Sequence, residues 1–138
     1  AYRHFGHDIT DEDHIVDAGL CFTADLSKTY FKGKEAILKK RKIGSSKKML
    51  QFKLNDPTKM IYHNEPIIRE NQIVGYLTSG NYGHTLGGCV GLGYVDCKDL
   101  PNEEILSFEY KVDVAGEIVP AKTSLRSMYD PRSERVRM

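Results

Sequence analysis

Beyond Ser46 the chain gives up helical periodicity, and this change restricts its fold more than any other feature. Residues 47–54 (KKMLQFKL) alternate, with Leu50, Phe52 and Leu54 on one face and Gln51 and Lys53 on the other. That is the period-two pattern of a half-buried strand. Asn55-Asp56-Pro57 ends it, and further strand candidates follow at residues 66–69, 72–78, 89–96, 105–112 and 117–124. Glu70-Asn71 predicts a two-residue hairpin turn, and Val114-Ala115-Gly116 turns the last pair. Six short strands with hairpin spacing and no crossover helix predict an antiparallel β-barrel or a barrel-like double sheet. Closure would leave no exposed edges.

The segment before the strands reads differently. Residues 33–42 form the one clear helix, with Ala36, Ile37 and Leu38 among good helix formers and Gly44 as C-cap. Lysines and Arg41 crowd its last turn, where the helix dipole favours positive charge. Residues 1–25 hold no sustained period: Asp8, Asp11, Glu12, Asp13 and Asp17 belong to a loop, followed by a short apolar element at 18–24. Tyr2, Phe5 and Ile9 have nothing before them to pack on, so the chain is expected to begin inside a larger domain. The expected class is mainly β (α+β overall): a barrel over 47–138, one external helix, and residues 1–46 as the end of a preceding region.

Composition narrows the function classes. Twenty basic against nineteen acidic residues leave a net charge of +1, which gives no case for a nucleic-acid partner. The layout is uneven: residues 1–29 hold six acids and two bases, residues 32–53 nine bases and one acid. Such blocks bind anions or form solvated faces. No apolar run approaches the roughly 20 residues of a membrane helix. Cys21, Cys89 and Cys97 cannot all pair, and a soluble protein of a reducing compartment, cytoplasm or mitochondrial matrix, is expected.

The residues do not assemble a complete catalytic kit. His4, His7 and Asp8 lie close together, with His14, His63 and His84 farther off, yet no zinc-ligand spacing is present. Ser79 sits in TSGN rather than in a nucleophile elbow, and Cys21 has no adjacent base. Six glycines between Gly80 and Gly93 match neither a Walker loop nor a dinucleotide fingerprint. They mark either a long hairpin loop with sites of tight strand approach, or a loop presenting Ser79, Tyr82 and His84 to a ligand.

The opening Tyr2-Arg3-His4, Gly6-His7-Asp8, Ala18-Gly19-Leu20 and Phe22 make a familiar pattern. It continues through Phe31-Lys32-Gly33-Lys34-Glu35-Ala36, Val74-Gly75-Tyr76-Leu77-Thr78-Ser79-Gly80, Tyr82-Gly83-His84-Thr85-Leu86-Gly87 and Leu92-Gly93-Tyr94-Val95. Val119-Pro120-Ala121, Leu125-Arg126 and Tyr129-Asp130-Pro131 complete it. Together these resemble the aminomethyltransferase (glycine-cleavage T-protein) superfamily, most closely the version fused to dimethylglycine and sarcosine dehydrogenases. His14-Ile15 and Cys21 depart from the family's usual Thr-Pro and glycine.

The resemblance implies the last stretch of a central folate-binding region plus a C-terminal barrel. It implies tetrahydrofolate-dependent one-carbon transfer in the whole protein, with a small methylated amine as substrate and FAD bound in an N-terminal part outside these residues. It implies no catalytic residue in this chain. Phe22 would take the family's aromatic position against the folate, or be an ordinary core residue; Tyr2 would line the pocket. Arg126 is expected to hold the folate's carboxylate tail, or else to pair with Asp130. The expected partners are the remainder of the parent chain and, through Tyr2, Phe5 and Phe22, a second copy, with no nucleic acid and no membrane. The alternatives are a fragment of a glycine cleavage aminomethyltransferase and a purely structural or binding barrel.

Overall fold

The computed structural model describes residues 2–98 and 100–138. Strands β1 (Lys47–Leu54), β2 (Pro66–Arg69), β3 (Gln72–Gly83), β4 (Gly88–Asp96), β5 (Tyr110–Val114) and β6 (Glu117–Ser124) close into one antiparallel barrel in the order β1-β4-β3-β2-β5-β6. Strand β1 seals it, pairing with β4 from Lys47↔Asp96 to Lys53↔Val90 and with β6 from Gln51↔Ser124 to Leu54↔Ala121. Both predicted hairpin turns form. Glu70 and Asn71 have φ of 50° and 63°, Ala115 and Gly116 52° and 89°, the left-handed pairs that match strand twist in a two-residue turn.

Alternation places Leu50, Phe52 and Leu54 inside the barrel with Ile67, Leu77, Val95 and Val112, all fully buried. Phe52 meets Tyr110 edge to face at 5.9 Å, a favoured arrangement for aromatic quadrupoles. Gln51, on the outer face, is nevertheless buried. The C-terminal segment covers it, and the Met128 amide donates to its Oε1 at 2.6 Å.

In place of a long loop, β3 runs on to Gly83, and Gly75, Gly91 and Gly93 sit where neighbouring strands approach closely, whereas Gly87 takes a left-handed φ of 64° in the turn. A Cβ on Gly75 would lie 1.9 Å from the Tyr94 carbonyl oxygen, and one on Gly93 2.7 Å from that of Tyr76. The β3–β4 register also shifts between Leu77 and Ser79, leaving Thr78 as an extra residue. A bulge of this kind re-aims a side chain, and Thr78 is used below.

Helix α1 (Lys34–Ile43) forms as predicted, between Gly33 and Gly44, and buries none of its residues. A second helix was not expected. Residues 105–112 read as one strand, but α2 (Asn102–Ser107) takes the first part and β5 starts only at Tyr110. Pro101 precedes it in extended conformation, and Glu103 and Glu104 occupy its first turn, where the helix dipole favours negative charge. Packing decides the outcome: Ile105 is fully buried in the barrel core, and Tyr110 Oη donates to its carbonyl at 3.0 Å. Among the described residues no helix is long and apolar enough to cross a membrane.

If α2 plugs the core, Ile105→Ala should destabilise the protein by about 2–5 kcal/mol, the usual cost of truncating a buried isoleucine. Urea unfolding would show this as a lower midpoint at unchanged slope; a loss below about 1 kcal/mol would contradict the packing.

Candidate functional site

The N-terminal segment has almost no regular structure, a 3-10 turn at Cys21–Thr23 apart, and carboxylates fix it to the barrel. Asp8 is buried; its Oδ2 accepts the His4 amide at 2.8 Å, and its Oδ1 accepts the bulged Thr78 hydroxyl at 2.5 Å. Asp13 accepts Lys47 Nζ at 2.7 Å. Asp17 is buried, accepts the Ser45 hydroxyl, and pairs with Lys40 Nζ at 3.2 Å. Its carbonyl also accepts the Met49 amide of β1 at 2.9 Å.

Tyr94 lies among these groups, with Lys47 Nζ 4.5 Å from its ring centre. Its hydroxyl is buried without a hydrogen-bond partner among the described residues. Burial pushes the phenol well above its ordinary pKa, the Asp13, Asp17 and Asp8 carboxylates add to this, and Arg3 opposes it. The phenol therefore stays neutral at physiological pH.

This docking brings both ends of the chain together. Tyr2, Arg3, Leu20 and Phe22 line one wall of a cavity of about 270 Å³, and Ser127, Tyr129, Asp130 and Ser133 line the other. Arg3 Nε donates to the Ala18 carbonyl at 3.2 Å. Burial lowers the guanidinium's pKa, with Tyr94 and Asp8 opposing. Gly19 has φ of +68°, and a Cβ there would lie 3.3 Å from Arg3 Nη2.

The structure thus brings Tyr2 and Phe22 into one cavity. Phe22 is 81% exposed, so it is not a core residue. Arg126 is exposed and does not line the cavity; its amide donates to Ser124 Oγ at 3.1 Å. Nor does it pair with Asp130, whose carboxylate accepts the Glu134 and Arg135 amides at 2.8 and 3.0 Å. Arg3, Ser127, Tyr129 and Ser133 were missed as site residues, although Arg3 and Tyr129 stand inside the motifs that carried the resemblance. Ser79, Tyr82 and His84 stand apart from this cavity; the Tyr82 and His84 rings pack on each other at 5.1 Å. His4 and His7 likewise contact each other, Nδ1 to Nδ1 at 2.9 Å.

Asp13 generates a pH prediction. Burial raises its pKa, but the Lys47 ammonium and the Thr10 amide and hydroxyl together bring it below the ordinary 3.8. A depressed folded-state value stabilises the fold above the unfolded pKa, and that gain disappears as pH falls through the folded value. Asp13→Asn should therefore lower stability at pH 7, by at most about 1 kcal/mol for a partly exposed pair. Urea titrations should show the deficit fading below pH 3.8; a pH-independent deficit would rule out the ionic origin.

Comparison with known proteins bears on the barrel. The family model of the glycine cleavage T-protein C-terminal barrel domain matches residues 47–130. A 4-methylaminobutanoate oxidase (formaldehyde-forming) of Paenarthrobacter nicotinovorans is 39% identical over 99% of this chain, which spans 16% of that protein. Human mitochondrial sarcosine dehydrogenase is 29% identical over 99% of the chain and 15% of its own length. An aminomethyltransferase of Halothermothrix orenii is 35% identical over 86% of the chain and 33% of its own length. The crystal structure of the glycine cleavage system aminomethyltransferase T from Bartonella henselae superposes with a TM-score of 0.72 at 22% identity, over 87% of this chain and 33% of that one. The chain spans well under half of these relatives, and by its barrel it belongs to the glycine cleavage T-protein C-terminal domain family.

Proposed function

We propose that this chain completes the folate-binding region of a flavin-dependent enzyme that oxidises a small methylated amine. The cavity shared by Tyr2, Phe22 and the C-terminal segment carries this reading. At about 270 Å³ it is smaller than the roughly 300–1,000 Å³ of a complete small-molecule site, so it suits one end of a folate. Tyr2 and Phe22 offer faces for stacking on a planar ring, and Arg3, Ser127 and Ser133 offer polar groups beside them. Tetrahydrofolate, when bound, supplies the nitrogens that take up a carbon at the oxidation level of formaldehyde. This chain's residues bind and orient it, and supply no catalytic group. Residues 1–46 end the central folate-binding region and 47–138 form the barrel. FAD and the amine site belong to other parts of the parent chain, which also covers Tyr2 and Phe5.

Support for the flavin-dependent form comes from the relatives matched over 99% of this chain, whose names are those of an N-methylamine oxidase and a sarcosine dehydrogenase. A glycine cleavage aminomethyltransferase is the second reading, favoured by the 35% identity to one such protein. The visible flavin spectrum of the purified parent separates them. Bound flavin is expected, and a parent without it would leave the aminomethyltransferase.

For the folate itself, calorimetric titration of tetrahydrofolate into the complete parent should give about 2–12-fold weaker binding for Phe22→Ala, the loss of about 0.5–1.5 kcal/mol of aromatic contact. Equal affinities would remove Phe22 from the site, and no binding by the unaltered parent would reject the folate assignment.

A further inference from the structure

The C-terminal wall of the cavity, which carries Ser127, Tyr129, Asp130 and Ser133, is knit together from within. The Ser127 hydroxyl donates to the Tyr129 carbonyl, and the Ser133 amide donates to that of Asp130 at 2.9 Å. The Asp130 carboxylate accepts the Glu134 and Arg135 amides, and Arg135 Nη1 donates to Tyr129 Oη at 3.1 Å. A segment bonded in this way moves as one piece, so its position depends on how its root is fixed. The root lies on β1. Gln51 stands opposite Ser124, the last residue of β6, and the chain leaving β6 packs Leu125 against the core. The Met128 amide then donates back to Gln51 Oε1 at 2.6 Å, across 77 residues of sequence. Gln51 faces outward between the fully buried Leu50 and Phe52, yet it is only 9% exposed. A buried side-chain amide costs stability unless its hydrogen bonds are made, and an apolar residue would fill an outer strand position without that cost.

We propose that Gln51 is a positioning residue for the ligand. Through the Met128 amide it sets how far the C-terminal wall stands from Tyr2, Arg3 and Phe22, and hence the affinity, although it does not itself line the cavity. This rests on the folate reading above and extends it from the cavity's lining to the residue behind one wall. The two walls reach the barrel by separate routes, the N-terminal one through Asp8 and Thr78 and the C-terminal one through Gln51. A ligand between them binds best when both are fixed beforehand, because ordering a loose wall on binding takes up part of the contact energy. Releasing one wall leaves the contacts to the other in place, so the loss of affinity is partial.

The test uses the complete parent with tetrahydrofolate as the probe. Gln51→Leu removes the acceptor at nearly constant size, and Gln51→Glu keeps an acceptor oxygen at the same reach. Calorimetry should show about 2–12-fold weaker binding for Gln51→Leu, the loss of one neutral hydrogen bond, and restored affinity for Gln51→Glu. Hydrogen–deuterium exchange should quicken at residues 126–135 of Gln51→Leu and slow there again once tetrahydrofolate is added. Equal affinity of Gln51→Leu and the unaltered parent, or a loss that Gln51→Glu does not restore, would overturn the positioning role and leave the folate reading standing. If Gln51→Leu loosens β1 as well, Met128→Pro takes its place, since it removes the amide from the other side of the contact without altering the barrel. Unchanged affinity in that variant overturns the proposal. If the unaltered parent binds no tetrahydrofolate, the folate reading fails and exchange decides alone. Quickening confined to residues 126–135 then keeps Gln51 as the residue that holds this wall, and no quickening overturns it.

Discussion

A carboxylate leaves water only where charge or hydrogen bonds replace its hydration, and Asp8 and Asp17 are buried in a segment that has little regular structure to supply either. Most of the replacement comes from beyond the segment. The Thr78 hydroxyl reaches Asp8 because a bulge interrupts the β3–β4 ladder there, while Ser45 and Lys40 meet Asp17 where α1 passes into β1. Asp13 adds a more exposed pair with Lys47, the first residue of β1. These contacts set the path of the N-terminal segment, and hence the positions of Tyr2, Arg3 and Phe22.

The barrel is suited to this role because it is closed. With β1 paired on both edges, its strands form a continuous ladder, and Phe52, Leu77, Val95 and Val112 fill the interior. Glycines at Gly75 and Gly93 let neighbouring backbones approach within distances that a side chain would block. The irregular ends lie on the outside of this scaffold, one held through Asp8 and Asp17, the other through the amide of Met128 on Gln51. A rigid body carrying a site on its irregular segments is a common division of labour.

The barrel was legible because its determinants are local. Alternation in KKMLQFKL, the Glu70-Asn71 turn and the glycines flanking α1 each act within a few residues. Residues 105–107 read as the start of a strand because NEEILS is too short to show a helical period, and burial of Ile105 decides its state. The docking carboxylates read as loop acids because their partners stand far away in sequence, Thr78 seventy residues from Asp8 and Ser45 twenty-eight from Asp17. Tyr2 and Phe22, which the resemblance singles out, share a cavity, whereas Arg126, which follows an alternating strand, does not line it. Alternation along a strand does not say which cation faces the other end of the chain.

The contact on which the placement of the site most depends is that between Asp8 and Thr78. Thr78→Val removes the hydroxyl while keeping the side chain's shape, so it separates docking of the segment from folding of the barrel. Hydrogen–deuterium exchange of the two proteins is the direct measurement. Faster exchange in residues 2–24 of the variant, with strands β1 to β6 as protected as before, is the expected result. Unchanged exchange in residues 2–24 would show that the segment is held by something other than this carboxylate.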